Sequence, residues 1–183
     1  MVSIFLLLGQ AIWFILPAYA ANMAPVLAKK LFPAFAIPID LGYCYEGTSL
    51  FGEHKTYRGL IAGMVAGTAM FLVQKYLYVY PFFQKLSIVD YHSVSLWLGF
   101  LMGFGALAGD LLKSFFKRRK HLEPGAAWFP YDQLDYPVGA LVFSAFLVIP
   151  HISIVVIILI LTPMLSTMVN FLAYLLGLKE VQW

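Results

Sequence analysis

The sequence predicts an all-α integral membrane protein of about five transmembrane helices, with two large loops on one side and the N-terminus on the other. Three observations predict it. Of the 183 residues, 62% are hydrophobic and only 11% are charged, against about a quarter charged in an ordinary soluble domain. A core of its own cannot hide that much apolar surface. Apolar segments recur along the chain with room for about five spans of roughly 20 residues each, and the charges gather between them.

The first span is expected over residues 2–18, ending near Pro17. Ala18-Tyr19-Ala20 resembles a signal-peptide cleavage site. No Lys or Arg precedes Lys29, however, so the basic leader region is missing and the segment reads as a retained helix. Residues 19–58 read as an ordered loop, rich in turn-forming Pro and Gly and too aromatic for disorder. Span two is expected over 59–80, where Gly59, Gly63 and Gly67 recur every four residues and offer a face for close helix packing. A short connection over 81–91 leads to span three, 92–112, again glycine-rich. Residues 113–136 form the second large loop. Residues 137–148 and 152–178 make the last two spans, divided near Pro150-His151, and Pro163 predicts a kink in the last. Residues 1–183 thus read as one membrane-embedded domain. The single cysteine, Cys44, excludes an intramolecular disulfide and a cysteine-rich metal site.

With this arrangement the loops 19–58 and 113–136 and the C-terminal tail share one side. That side carries Lys29, Lys30, Lys55, Arg58, Lys113, Lys117, Arg118, Arg119, Lys120 and Lys179, whereas the other has Lys75 and Lys85. The excess predicts a multi-pass protein of the cell membrane with both large loops in the cytoplasm and the N-terminus outside. A site built by the two loops would therefore face the cytoplasm, where soluble nucleotides are available.

The stretch from Gly109 to Ala140 concentrates the chemistry. Its carboxylates Asp110, Asp132 and Asp135 flank the run Lys117-Arg118-Arg119-Lys120. Carboxylates beside concentrated positive charge are the parts expected for handling a polyphosphate with Mg²⁺, which takes a few hard oxygen ligands plus substrate phosphates, while Arg and Lys neutralise the rest. If span three continues as a helix, Asp110, Lys113, Ser114 and Lys117 fall at i, i+3, i+4 and i+7 and share a face. The alternative is that Asp110 pairs structurally with Lys113 or Lys117. Asp132 and Asp135 stand one turn apart, a spacing that lets both reach one or two metal ions. The same spacing suits a helix N-cap at Asp132 with Asp135 at the third position, and the sequence does not choose between them. The basic run could be a positive-inside flank or an anionic-lipid anchor, but its closeness to three carboxylates favours phosphates. From the first loop, Lys55 and Arg58 suit phosphates and Thr56 suits a ribose or phosphate. Asn22 offers an amide able to read a donor–acceptor edge such as a pyrimidine's. His54, His92, His121 and His151 have no metal-ligand spacing. The chain has no G-x-x-x-x-G-K-[ST], H-E-x-x-H or G-x-S-x-G motif. Ionisable residues well inside a span are scarce, with Lys75 the nearest case, which argues against an ion pathway.

The ordered set Ala21-Asn-Met-x-Pro-Val26, His54-Lys-Thr-x-Arg-Gly59, Gly109-Asp110 with Ser114-Phe-x-Lys-Arg-Arg119, Pro124-Gly125 and Pro130-x-Asp-Gln-Leu-Asp135 resembles the archaeal CDP-archaeol synthases over nearly the whole chain. The block from Ser114 to Asp135 is also similar to a shortened signature of the CDP-diacylglycerol synthases, without their His-Gly-Gly element. The resemblance implies a Mg²⁺-dependent cytidylyltransferase. CTP and an unsaturated archaetidic acid, an isoprenoid ether-lipid phosphate, would give the CDP-lipid and pyrophosphate. It implies Asp110, Asp132 and Asp135 as metal ligands and, with Lys117, as the catalytic set. Lys113, Lys117, Arg118 and Arg119 would hold the β- and γ-phosphates. Asn22, Lys55, Thr56, Arg58 and Ser114 would complete the substrate pocket. The partners are then CTP, the lipid phosphate and membrane lipids, with no nucleic acid. The CDP-alcohol phosphotransferases need Asp-Gly-x-x-Ala-Arg, which is missing. The alternative from another class is a small membrane transporter or lipid-binding membrane protein, but the carboxylates stand at span ends and not at midplane.

Overall fold

The computed structural model describes residues 3–45, 47–122 and 126–175. Among the described residues six helices carry the fold: α1 (Ile4–Leu31), α2 (Tyr57–Leu77), α3 (Pro81–Leu86), α4 (Trp97–Arg119), α5 (Tyr131–Ser144) and α6 (Ile152–Leu175). A small antiparallel hairpin, β1 (Cys44–Tyr45) with β2 (Thr48–Ser49), lies in the loop between α1 and α2. Among the described residues α1, α2 and α4 are each long and apolar enough to cross a membrane. The Pro124-Gly125 motif, Lys179 and the expected end of the last span at 176–178 lie outside the described residues.

The first helix departs most from the expectation. It does not stop near Pro17 but runs for 28 residues through Pro17 and Pro25 to Leu31, about 42 Å at 1.5 Å per residue. Apolar helices tolerate proline where neighbouring helices pack around the freed backbone, and Pro17 is fully buried. A stripe of small side chains, Ala11, Ala18, Ala21, Ala24 and Ala28, faces the core and lets α2 and α4 pack close. Lys29 and Lys30 in the last turn complement the helix dipole, and Pro33 prevents continuation. The loop expected over 19–58 therefore shrinks to 32–56, and Asn22 belongs to a helix, not to a loop.

The later boundaries shift for equally local reasons. Thr56 is the N-cap of α2, its Oγ1 accepting the Gly59 N–H at 3.2 Å. Helix α4 starts at Trp97 and ends at Arg119, so Lys113–Arg119 are helical and not part of a loop. Helix α5 begins at Tyr131 and ends at Ser144, where a span over 137–148 was expected. Pro130 occupies its N-cap position, so the N-cap alternative for Asp132 does not form. Asp132 sits in the first turn, where a carboxylate suits the dipole.

Helix α4 is the centre of the bundle, packed on α1, α2 and α5. The backbones of α2 and α4 touch through Gly67, Gly99 and Gly103: a Cβ on Gly67 would lie 2.9 Å from the Gly99 carbonyl oxygen. Lys75, the ionisable residue inside span two, is tied to the chain itself. Its ammonium donates to the carbonyls of Tyr91 at 2.8 Å and His92 at 3.1 Å and to that of Val94, so it anchors the connection ahead of α4.

Candidate active site

The site begins where α4 and α5 meet without intervening side chains. A Cβ added to Gly109 would strike the Asp135 carbonyl oxygen, and one added to Gly139 would strike that of Gly105. This contact brings Asp135 on α5 beside Asp110 on α4. Because α4 stays helical through Arg119, Asp110, Lys113, Ser114 and Lys117 do share one face.

Three carboxylates converge on one ammonium. Lys113 Nζ lies 3.3 Å from Asp110 Oδ1, 3.0 Å from Asp132 Oδ1 and 2.9 Å from Asp135 Oδ2. Lys55, from the loop ahead of α2, ion-pairs with the other oxygen of Asp110. Lys117 Nζ donates to both oxygens of Asp132, at 3.1 and 3.2 Å. The Trp128 N–H donates to Asp132 Oδ2 at 2.6 Å. Asp110 thus pairs structurally with Lys113 in the sense of the bland alternative, yet within a cluster far larger than a surface pair.

Asp132 and Asp135 stand ahead of Pro137, outside the expected spanning segment. Burial pushes the Asp132 carboxyl up, but the hydrogen bond from Lys113, the Trp128 N–H, the Lys113 charge and Lys117 together hold it below the ordinary carboxylate range. Asp135, whose side chain is only 4% exposed, is pushed up to about 6 by burial and by Asp110, against the pull of Lys113.

Two cavities meet at this cluster. A polar cleft of about 420 Å³ is walled by Ser49, Phe51, Gly52, Glu53, His54 and Lys55 from the loop and by Lys113, Ser114, Lys117 and Arg118 from α4. An apolar groove of about 710 Å³ lies between α4 and α5, lined by Leu112, Phe116, Leu134 and Val138 and also by Lys113 and Asp135. Lys113 borders both. A second apolar groove, about 600 Å³, lies between α1 and α2.

Of the residues singled out in the sequence, Asp110, Lys113, Lys117, Asp132, Asp135 and Lys55 form the cluster, and Ser114 and Arg118 join it on the cleft wall. Four others are placed elsewhere. Thr56 is turned inward as a helix cap. Arg58 donates to the carbonyls of Phe32 and Pro33 and so fixes the end of α1. Arg119 donates to Tyr45 O at 2.9 Å, Thr48 Oγ1 at 2.9 Å and Ser49 O at 3.1 Å, and its guanidinium lies between the rings of Tyr45 and Phe115. Asn22 is exposed on α1. Sequence reasoning missed the Trp128 N–H, for which the sequence holds no signal, and the hairpin wall of the cleft. The polar run from Gly52 to Arg58 was the one hint of that wall.

Three carboxylates, the hard oxygen type that a divalent cation takes, lie within 3.3 Å of the Lys113 ammonium nitrogen. Among the described residues, no three His, Cys, Asp or Glu side chains converge as a ready-made metal cluster, because the acids are arrayed around the lysine.

The profile of the CarS-like CDP-archaeol synthase family matches residues 3–183. The chain belongs to the CDP-archaeol synthase family. CDP-archaeol synthases of Pyrococcus furiosus, 37% identical over 95% of this chain and 97% of the relative, and of Methanocaldococcus jannaschii, 35% identical over 97% and 98%, are similar along their whole length. A solved structure described as an intramembrane enzyme for archaeal membrane lipids biosynthesis matches with a TM-score of 0.67 at 31% identity, covering 87% of this chain and 92% of that one. This CDP-archaeol synthase family member is itself mostly helical, with apolar helices long enough to cross a membrane.

Proposed function

We propose that this chain is a membrane cytidylyltransferase that makes CDP-archaeol and pyrophosphate from CTP and an unsaturated archaetidic acid. The observation that carries the reading is the carboxylate–lysine cluster at the junction of a polar cleft and an apolar groove. One substrate is a soluble polyanion and the other an anion on two hydrocarbon tails. The junction offers each its own approach and brings both phosphates to one point.

The cleft takes the triphosphate. Lys117 and Arg118 neutralise its β- and γ-phosphates, and Lys55 and Ser114 add a cation and a hydroxyl on the same wall. The groove between α4 and α5 takes a lipid tail, and Lys113 on its wall draws the lipid phosphate to the cluster. A lipid phosphate oxygen then attacks the α-phosphorus. The new P–O bond forms as the bond from the α-phosphorus to the oxygen bridging to the β-phosphate breaks, and pyrophosphate leaves with that electron pair. The attacking phosphate is already ionised, so no general base is required. Asp110, Asp132 and Asp135 would hold Mg²⁺, which supplies charge neutralisation at the reacting phosphates. The protein's own share is positioning and electrostatic stabilisation.

In the membrane we assign five spans, carried by α1, α2, α4, the segment 137–148 that begins within α5, and α6, with the N-terminus outside. The ends of α1 and α4 and the starts of α2 and α5 then share the cytoplasmic side. The basic residues Lys29, Lys30, Lys55, Arg58 and Lys113–Lys120 at those ends support this orientation.

The test is pyrophosphate release by the purified protein in detergent micelles with Mg²⁺ and archaetidic acid, comparing CTP with ATP, GTP and UTP. Release that requires both CTP and the lipid phosphate is expected. Folded protein that releases none with any nucleotide would overturn the reading.

A further inference from the structure

Among the described residues, Lys113 is the side chain that ion-pairs with all three carboxylates of the cluster, Asp110, Asp132 and Asp135, at 2.9–3.3 Å. An ammonium has three N–H groups, so its charge is fully engaged by the acids. In this arrangement it has nothing to offer a phosphate, although it borders both the nucleotide cleft and the lipid groove. The place it fills is also the place where the three acids present their oxygens.

We propose that Lys113 is a resident counter-ion, and that a divalent cation taking the three carboxylates displaces its ammonium and so releases it to the lipid phosphate. The inference rests on the metal reading above and adds to it an order of events. Without a cation, the partly buried like charges on Asp110, Asp132 and Asp135 repel one another, and the lysine holds them together. With a cation bound, the same ammonium becomes a like charge at contact distance, and the two cannot share the acids. The flexible four-carbon stem of lysine lets the head group move while its backbone stays fixed in α4. Its surroundings at the junction are the polar cleft and the mouth of the apolar groove, where the lipid phosphate arrives. Metal loading therefore prepares the lipid subsite, and the lipid phosphate binds well only after the metal does.

Binding of Mn²⁺ to the purified full-length protein in detergent, followed by the electron paramagnetic resonance of the free ion, tests this directly. Removing the competitor in Lys113→Met is expected to tighten Mn²⁺ binding by about tenfold. Equal or weaker binding by a folded variant would overturn the proposal. A second measurement needs no variant. Lys113 of the wild-type protein is acylated with an amine reagent, with and without Mg²⁺ and with no nucleotide, and its peptide is quantified by mass spectrometry. Mg²⁺ is expected to raise its labelling several-fold, and unchanged labelling would overturn the proposal even if the variant fails to fold. Wild-type protein that binds no Mn²⁺ in the presence of CTP and lipid would overturn the metal reading itself. Wild-type binding that Lys113→Met does not tighten would overturn this inference alone.

Discussion

Gly105 and Gly139 face each other so closely that a Cβ on either would strike the other's carbonyl oxygen. This contact sets the distance between α4 and α5, and so the distance from Asp110 and Lys113 to Asp135. Gly139→Ala is expected to force the helices apart, at about 1–3 kcal/mol in stability, and to lower turnover with it. Thermal unfolding in detergent and pyrophosphate release check both. A variant that melts with the wild type and keeps its activity would show that the helix spacing does not set the site.

Asp110→Asn and Asp135→Asn each remove one negative charge from around Lys113 while preserving shape. Turnover is expected to fall by about 100-fold or more with the protein still folded and monodisperse. Near-normal pyrophosphate release by either variant would remove that residue from the reacting centre.

Arg119 is engaged by the hairpin, so its loss should act through the cleft wall. In Arg119→Met the KM for CTP is expected to rise about tenfold, a change of 1.4 kcal/mol, with a smaller change in kcat. Arg119→Lys should rescue poorly, since an ammonium cannot reproduce the planar fork that meets Tyr45, Thr48 and Ser49 at once. A fall confined to kcat would place Arg119 at the reacting phosphates instead.

Thr56 and Lys55 are neighbours in sequence with different duties. Thr56→Ala should lower stability by about 1 kcal/mol through the lost cap and leave the preference for CTP over UTP intact. Lys55→Met leaves Asp110 without its loop partner and should depress turnover with CTP. Rates measured with both nucleotides beside melting curves separate the two effects.

A bulky side chain in the groove between α4 and α5 should hinder the lipid alone. Leu112→Trp or Val138→Trp is expected to raise the KM for archaetidic acid about tenfold at unchanged KM for CTP. A change in the CTP constant alone would move the lipid path to the groove between α1 and α2.

Part of this site could be read before any coordinates. The spacing of Asp110, Lys113, Ser114 and Lys117 is a helical face, and its meaning needed only that α4 continue past residue 112, which it does. Asp132 and Asp135, one turn apart, were equally visible, although only the position of Pro130 shows that Asp132 is not the cap. What stayed hidden concerns partners. Arg58, Arg119 and Thr56 look like substrate-binding groups in sequence, because sequence shows a charge or hydroxyl but not the carbonyl or N–H it meets. Thr56 stands directly ahead of an apolar run, a place that suits a helix cap as well as a ligand. The length of α1 was obscured by Pro17 and Pro25, whose helix-breaking force in water weakens among packed apolar helices.

The groove between α4 and α5 is lined by Leu112, Phe116, Val138 and their neighbours and by Lys113 and Asp135 of the charged cluster. A lipid using it would slide in sideways, its tails never leaving hydrocarbon and its head group meeting the nucleotide only at the rim. Encounter on that side takes place in two dimensions. The effective dose of this substrate is its mole fraction in the surrounding film, and adding inert detergent at constant bulk lipid slows the enzyme although no component has become scarcer in the tube. The nucleotide, arriving from water, obeys ordinary molarity. One active centre thus answers to two different concentration scales, one for each of the cavities that meet at Lys113.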